Sequence, residues 1–322
     1  MPNINPVLRT ARTVDYLRIS VTDRCNLRCS YCIPKEGIYL EPHDNILNFE
    51  EIIALAKIFT SLGIKRIRLT GGEPLVRKGV MDLIRRLSSL PQVEKLSLTT
   101  NGTLLSFYAQ DLKKAGVKGI NISLDTLHKE RFSAITGSDC FQQALAGIES
   151  AKRIGFEEIK LNVVIMKGIN ADEIGDFIRF ASGRGLILRF IEFMKVTPLW
   201  KEELYLPFEE IKEICCREFK LKPVDYHSAG PAQYYAVEGN LIGFIRTVEK
   251  NCNICSRLRL TAMGELKSCL YQPQGLPLRN LLRAGAGFTE IKEKIWQAMA
   301  LKAAVDYTSW DKSQSYMCSV GG

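Results

Sequence analysis

Between Val14 and about Met194 the chain alternates short β-forming runs with amphipathic helical stretches, six times over. The candidate strands are residues 17–22, 64–70, 93–99, 119–124, 159–165 and 187–193. Strand followed by helix, repeated, points to an α/β protein with a parallel, barrel-like sheet. Six repeats are fewer than the eight of a closed TIM barrel, so the expectation is a partial (β/α)6 TIM-like barrel. Between the first two strands, Asn48 is placed as an N-cap with Glu51 as its capping-box partner. Ile52, Leu55, Ala56, Phe59 and Leu62 then recur at helical spacing, and Gly63 ends the segment. Gly116, Gly155 and Gly185 punctuate later helices in the same way.

Within the strands, apolar and polar residues alternate. Leu17, Ile19 and Val21 oppose Arg18, Ser20 and Thr22; Ile67 and Leu69 oppose Arg66, Arg68 and Thr70. Leu96 and Leu98 oppose Ser97 and Thr99, and Ile120, Ile122 and Leu124 oppose Asn121, Ser123 and Asp125. Leu161 and Val163 oppose Lys160 and Asn162. The apolar set should meet the outer helices, which leaves the polar set lining the interior. Such a lumen is too costly to bury without a polar ligand. The competing reading puts one or two strands in the opposite register.

After about Pro223 the repeat stops. The division expected is a partial barrel over residues 14–223, then a C-terminal domain, 224–322, that closes it. That second part has a helix around 289–303 and a glycine-ended tail, and no long linker separates the two. A chain of 322 residues can bury one large core, or a large domain plus a smaller one. The formal charge of +9 implies an anionic partner, either nucleic acid or a small polyphosphate, with a solvated basic surface as the bland alternative. Residues 1–13 have no apolar run suited to secretion, and nothing approaches the roughly 20 apolar residues that span a bilayer. The location expected is cytoplasmic, where structural disulfides are uncommon. Ten cysteines therefore need another account, and six of them fall in two tight groups.

Cys25, Cys29 and Cys32 form C-x3-C-x2-C directly after the first strand. Three thiolates can hold a [4Fe–4S] cluster, which normally takes four, so one iron stays open for a small molecule. Zinc is the alternative, but it would want a fourth protein ligand, and His43, His128 and His227 are the only histidines. Gly71-Gly72-Glu73-Pro74 ends the second strand; alone it reads as a tight turn or a close backbone approach. Cys252, Cys255 and Cys269 form C-x2-C-x13-C, which fits zinc, a redox pair or a second cluster. Between them lies Arg257-Leu258-Arg259-Leu260, whose two guanidiniums would point the same way from a strand, beside the metal. An anion site and a surface basic ladder are both open there. Cys140, Cys215, Cys216 and Cys318 fit no motif, and the helical pair Cys215 and Cys216 is read as buried small hydrophobes.

The first cysteine spacing, Tyr31 and the Gly-Gly-Glu-Pro segment together resemble the radical S-adenosylmethionine (SAM) superfamily. With the second cysteine group, its arginines and the terminal Gly321-Gly322, the resemblance narrows to the GTP 3′,8-cyclase family and covers about residues 14–322. It implies two [4Fe–4S] clusters, each with an open iron, the first cleaving SAM to a 5′-deoxyadenosyl radical. Tyr31, Gly72, Ser123 and Met194 would contact SAM. Arg18, Arg68, Thr99, Lys160, Arg257, Leu258 and Arg259 would bind GTP. The tail would reach the active site, giving Arg257, Arg259, Gly321 and Gly322 a catalytic part. The implied product is 3′,8-cyclo-7,8-dihydro-GTP, on the way to molybdenum cofactor, and the implied consumer is cyclic pyranopterin monophosphate synthase. The electron donor is unidentified and a homodimer is left open. Two other readings are carried: a radical SAM enzyme that modifies tRNA, and a zinc-bearing nucleic-acid-binding module.

Overall fold

The computed structural model describes residues 14–226, 232–246, 255–272, 274–304 and 316–321. Its strands are β1 (Tyr16–Ser20), β2 (Arg66–Thr70), β3 (Lys95–Thr100), β4 (Val117–Ser123), β5 (Glu158–Ile165), β6 (Ile187–Glu192), β7 (Lys222–Val224), β8 (Gln233–Val237), β9 (Asn240–Ile245), β10 (Arg257–Leu260), β11 (Glu265–Lys267) and β12 (Leu276–Pro277). The helices are α1 (Phe49–Ser61), α2 (Val80–Ser88), α3 (Leu105–Lys114), α4 (Lys129–Thr136), α5 (Phe141–Ile154), α6 (Ile174–Ser182), α7 (Phe208–Glu218), α8 (Leu278–Arg283), α9 (Phe288–Ala304) and α10 (Met317–Val320).

All strands join one sheet in the order β12-β11-β10-β1-β2-β3-β4-β5-β6-β9-β8-β7. From β10 to β9 every neighbouring pair is parallel, and the pairs outside them are antiparallel. The six expected strands are therefore present as β1–β6. The C-terminal part adds a parallel strand at each edge, β10 beside β1 and β9 beside β6. Among the described residues no pairing joins β12 to β7, so the sheet stays open. The expected 223/224 division falls inside β7, and Leu258, Leu260, Ile291 and Ile295 belong to the same core cluster as Leu17 and Ile67.

The apolar faces lie where the alternation put them. Leu17, Ile19, Ile67, Leu69, Leu96, Leu98, Ile120, Ile122, Leu161 and Val163 are buried in one core with Ile52, Leu55 and Phe59 of α1. α1 starts with the expected capping box: Asn48 Oδ1 accepts from Glu51 N and Asn48 N donates to Glu51 Oε2, both at 2.8 Å. The helix predicted at 289–303 is α9. Cys215 is buried as expected, but Cys216, the next residue of α7, is exposed, because consecutive helical residues point about 100° apart. No described helix is long and apolar enough to cross a membrane, and every described cysteine is a free thiol.

Candidate active site

A cavity of ≈ 330 Å³ runs along the inner face of the parallel strands. At the carboxyl end of β1, the backbone turns at once into the loop that carries Cys25, Cys29 and Cys32, all three lining the cavity. Arg28 N and Ser30 N donate to Thr136 O and Ile135 O at 2.8 Å, stitching this loop to the end of α4. Gly71 and Gly72 let the β2 loop press against it: Gly72 N donates to Thr22 O and Glu73 N to Arg24 O, both at 2.8 Å. A Cβ on Gly72 would sit 2.3 Å from Arg24 O, so the close-approach reading of these glycines holds. Glu73 is fully buried, and its carboxylate accepts from Asn101 N (2.7 Å), Thr100 Oγ1 (2.9 Å) and Leu75 N (3.1 Å). Burial still pushes its carboxyl up to about 7.

Burial pushes the Cys25 thiol up to about 11 and raises Cys29 as well. Cys32 is raised first by its hydrogen bond with Cys318 and then by burial. Tyr31 Oη donates to Asp125 Oδ2 at 2.5 Å, which holds the tyrosine beside this loop. Zinc is poorly suited to such a set. Zn–S bonds of about 2.3 Å draw ligands tightly round one point. Among the described residues no three Cys, His, Asp or Glu side chains converge in that way. His43 and His128 are exposed and outside the cavity lining, and His227 lies outside the described residues. Thiols arranged round a shared space fit a larger iron–sulfur cube.

Strand register organises the walls. Arg259, Arg18 and Arg68 are direct neighbours across β10, β1 and β2, so the three residues share one face at strand spacings of about 4.8 Å. Arg18 and Arg68 line the cavity, whereas Arg259 is buried outside its lining. Burial, then Arg259, lowers Arg18 well below its ordinary value, with Arg68 and Arg257 adding to it. Burial, then Arg257, lowers Arg259 to about 10. Like charges held this way in a dry interior call for an anion between them. Arg189 is buried on β6 and donates to Asn162 Oδ1 (2.8 Å) and Asn121 Oδ1 (2.6 Å). Thr99 Oγ1 and Tyr16 Oη, also on the cavity wall, are buried with no hydrogen-bond partner among the described residues. These features fit a polar, anionic ligand.

Cys255 and Cys269 lie toward the amino ends of the strands and are not among the residues that line the cavity. Cys255 stands two residues before Arg257, which pairs with Tyr16 at the start of β1. A five-residue strand spans about 17 Å, so the two sulfur groups sit roughly one strand length apart. Lys302 of α9 donates from Nζ to Cys255 Sγ (3.7 Å) and Ser268 O (2.5 Å), next to Cys269. Burial opposes ionisation of Cys255, but Arg257 and Lys302 overcome it and bring the thiol down to about 6. Cys252 lies outside the described residues.

The chain's end enters the cavity from the side. Met317 and Cys318 line it, and Arg259 Nη1 donates to Gly321 O at 3.0 Å. Gly321 has φ +73°, and a Cβ there would meet Thr70 Oγ1 at 2.5 Å, so only glycine fits. Gly322 lies outside the described residues.

Of the remaining sequence candidates, Arg18, Tyr31, Arg68, Gly72, Thr99, Ser123, Lys160 and Arg257 all line the cavity. Leu258 does not: its side chain is fully buried in the core on the other face of β10, leaving only its backbone toward the site. Met194 follows β6, half-buried and outside the lining. Sequence reasoning missed Lys95, Glu158 and Arg189, which line the wall too. The signal was available: Lys95 extends the Ser97–Thr99 parity by one step, Glu158 does so for Lys160, and Arg189 alternates with Leu188 and Phe190.

The arrangement was compared with known proteins. Residues 19–181 match the family model described as Radical SAM superfamily, and residues 186–307 match Molybdenum Cofactor Synthesis C. In overall shape the chain is similar to Streptococcus suis SuiB bound to S-adenosylmethionine, with a TM-score of 0.62 at 14% identity, covering 96% of this chain and 77% of that one. That likeness speaks to the fold, and with the family match it defines a radical SAM protein. The chain is 45% identical to the GTP 3′,8-cyclase of Moorella thermoacetica over 97% of its own length and 98% of that protein. It is 45% identical to that of Thermodesulfovibrio yellowstonii (90% and 92% covered) and 40% identical to that of Listeria monocytogenes (97% of each). The chain belongs to the GTP 3′,8-cyclase family.

Proposed function

We propose that this chain converts GTP to 3′,8-cyclo-7,8-dihydro-GTP in molybdenum cofactor biosynthesis, using SAM and two [4Fe–4S] clusters. One observation carries the reading: the cavity that Cys25, Cys29 and Cys32 line is also walled by Arg18, Arg68, Lys160 and Arg257, and Arg257 stands two residues from Cys255, whose thiol Lys302 contacts. Cys25, Cys29 and Cys32 hold the first cluster, and Cys252, Cys255 and Cys269 the second. Bound there, the reduced first cluster and SAM supply a 5′-deoxyadenosyl radical. Tyr31, Gly72, Ser123 and Met194 position SAM against the β1 loop.

Arg18, Arg68, Lys160, Arg257 and Arg259 neutralise the triphosphate, and Thr99 offers its unpartnered hydroxyl. Their task is to fix the ribose and base so that, once hydrogen leaves C3′, C3′ bonds to C8 before the radical is quenched. One electron and one proton from a reductant complete the product. Gly321, held by Arg259, seals the wall beside Thr70 and keeps water out. A cyclic pyranopterin monophosphate synthase consumes the product.

The test is anaerobic reconstitution with iron and sulfide, then incubation with SAM, a reductant and GTP deuterated at C3′. The reading expects the cyclised nucleotide and deuterium in 5′-deoxyadenosine. Unlabelled 5′-deoxyadenosine with GTP left intact would overturn it.

A further inference from the structure

The strand that carries Lys160 opens with an acid on the same face. Glu158 accepts from Lys160 Nζ at 2.8 Å, Lys95 Nζ at 3.0 Å and Tyr226 Oη at 2.8 Å, with its side chain only 13% exposed. A carboxylate here is at first sight misplaced, since it repels any phosphate that comes within a few ångströms in a low-dielectric cavity. Without an anion, however, the wall has the opposite problem. Lys160 is buried and shares its surroundings with Arg68, Arg189 and Lys95, and among the described residues Tyr226 and Tyr234 also stand about this group.

Burial, then Arg189, draws Lys160 down to about 8 even though Glu158 pulls it up. Glu158 is brought down to about 2 against its burial, first by Lys160, then by Lys95 and the Tyr226 hydrogen bond. The carboxylate thus occupies the same kind of contact that a phosphate oxygen would make: two ammonium groups and a hydroxyl.

We propose that Glu158 is a resident counter-anion for the ligand's polyphosphate, holding Lys95 and Lys160 until phosphate oxygens take them over. The inference rests on the GTP reading for the ligand's identity, but not for its charge.

Removing the carboxylate then has two opposite effects that pH separates. At the acid end of the range an incoming phosphate, itself an anion beside Lys160, keeps that ammonium charged in place of the carboxylate, so Glu158→Gln only removes a competitor. Above pH 8 the same variant has lost what kept Lys160 charged. The experiment uses the full, cluster-loaded chain under anaerobic conditions. Affinities for inorganic triphosphate and for GTP are measured by calorimetry from pH 6.5 to 9, in the wild type, Glu158→Gln and Glu158→Asp.

At pH 6.5 Glu158→Gln binds triphosphate about tenfold more tightly, the scale of one exchanged charge-assisted hydrogen bond. That gain shrinks as pH rises through 8, and Glu158→Asp, which keeps the charge with a shorter reach, falls between the two. Equal or weaker triphosphate binding by Glu158→Gln at pH 6.5, with melting unchanged, would overturn the proposal and make the carboxylate a clamp for the lysines. Tighter triphosphate binding with no GTP binding by any form would sustain the counter-anion and remove the guanine nucleotide.

Discussion

The two cysteine groups present the same donor atom in opposite electrostatic settings. At the carboxyl ends of the strands, Cys25 and Cys29 are raised chiefly by burial, in company with the acids Glu73 and Asp125. At the amino ends, Arg257 and Lys302 draw Cys255 down to about 6. The first setting favours neutral thiols, which release their protons only to a strongly binding metal. The second is a standing site for anions, continuous with the guanidinium row of Arg259, Arg18 and Arg68. One face of the sheet therefore changes its electrostatic character along the strand axis, with raised thiols above and clustered cations below.

The largest effects should separate the ends. Cys25→Ala is expected to drop SAM cleavage below detection, whereas Arg259→Ala leaves cleavage but loses cyclisation, seen as 5′-deoxyadenosine without cyclised nucleotide. If both variants failed at the same step, the division would be broken. Gly321→Ala comes next. With φ +73° and Thr70 Oγ1 in the way, the new methyl should push the tail from the wall and cut cyclisation roughly 10–100-fold, the scale of a small misplacement. Its melting temperature should stay near that of the wild type, and unchanged turnover would show that the tail does not serve the site.

A smaller effect belongs to the lower end and to pH. The folded-state pKa of Glu158 lies below its unfolded value, so its contribution is complete above about pH 4.5 and is lost as pH falls toward 2. Lys160 is also lowered, to about 8, so the unfolded chain binds more protons between about pH 8 and 10.5. Stability from that group rises with pH across the window. Melting curves should show Glu158→Gln flattening the acid limb, and an unaltered acid limb would contradict the pairing. Smallest of all, Asn48→Ala removes a cap that serves neither end and should cost about 1 kcal/mol with both activities intact, measurable by denaturant titration.

Much of this was legible in the chain because a half-buried parallel strand writes its two faces in alternate letters. β1 to β6 end within two residues of where the alternation placed them, and the polar parity of Arg18, Arg68, Thr99, Ser123 and Lys160 named the wall. The parallel edges were not legible. β10 has only four residues and pairs with a strand about 240 positions earlier, so local pattern could suggest an extended segment but not its neighbour. Glu158 was missed because it opens its strand one step before the expected start at 159, whereas Lys95 lay inside the expected strand 93–99, on the parity of Ser97 and Thr99, and went unused. The hydrogen bond between Cys318 and Cys32 depends on the fold of the chain's end and leaves no trace in spacing.

The most direct test is iron and acid-labile sulfide in anaerobically reconstituted protein, with one end disabled at a time. The wild type should take up about eight irons, and the variant lacking Cys25, Cys29 and Cys32 about four, as should the one lacking Cys255 and Cys269. A full complement in either variant, or four irons in the wild type, would contradict two clusters held by separate cysteine groups.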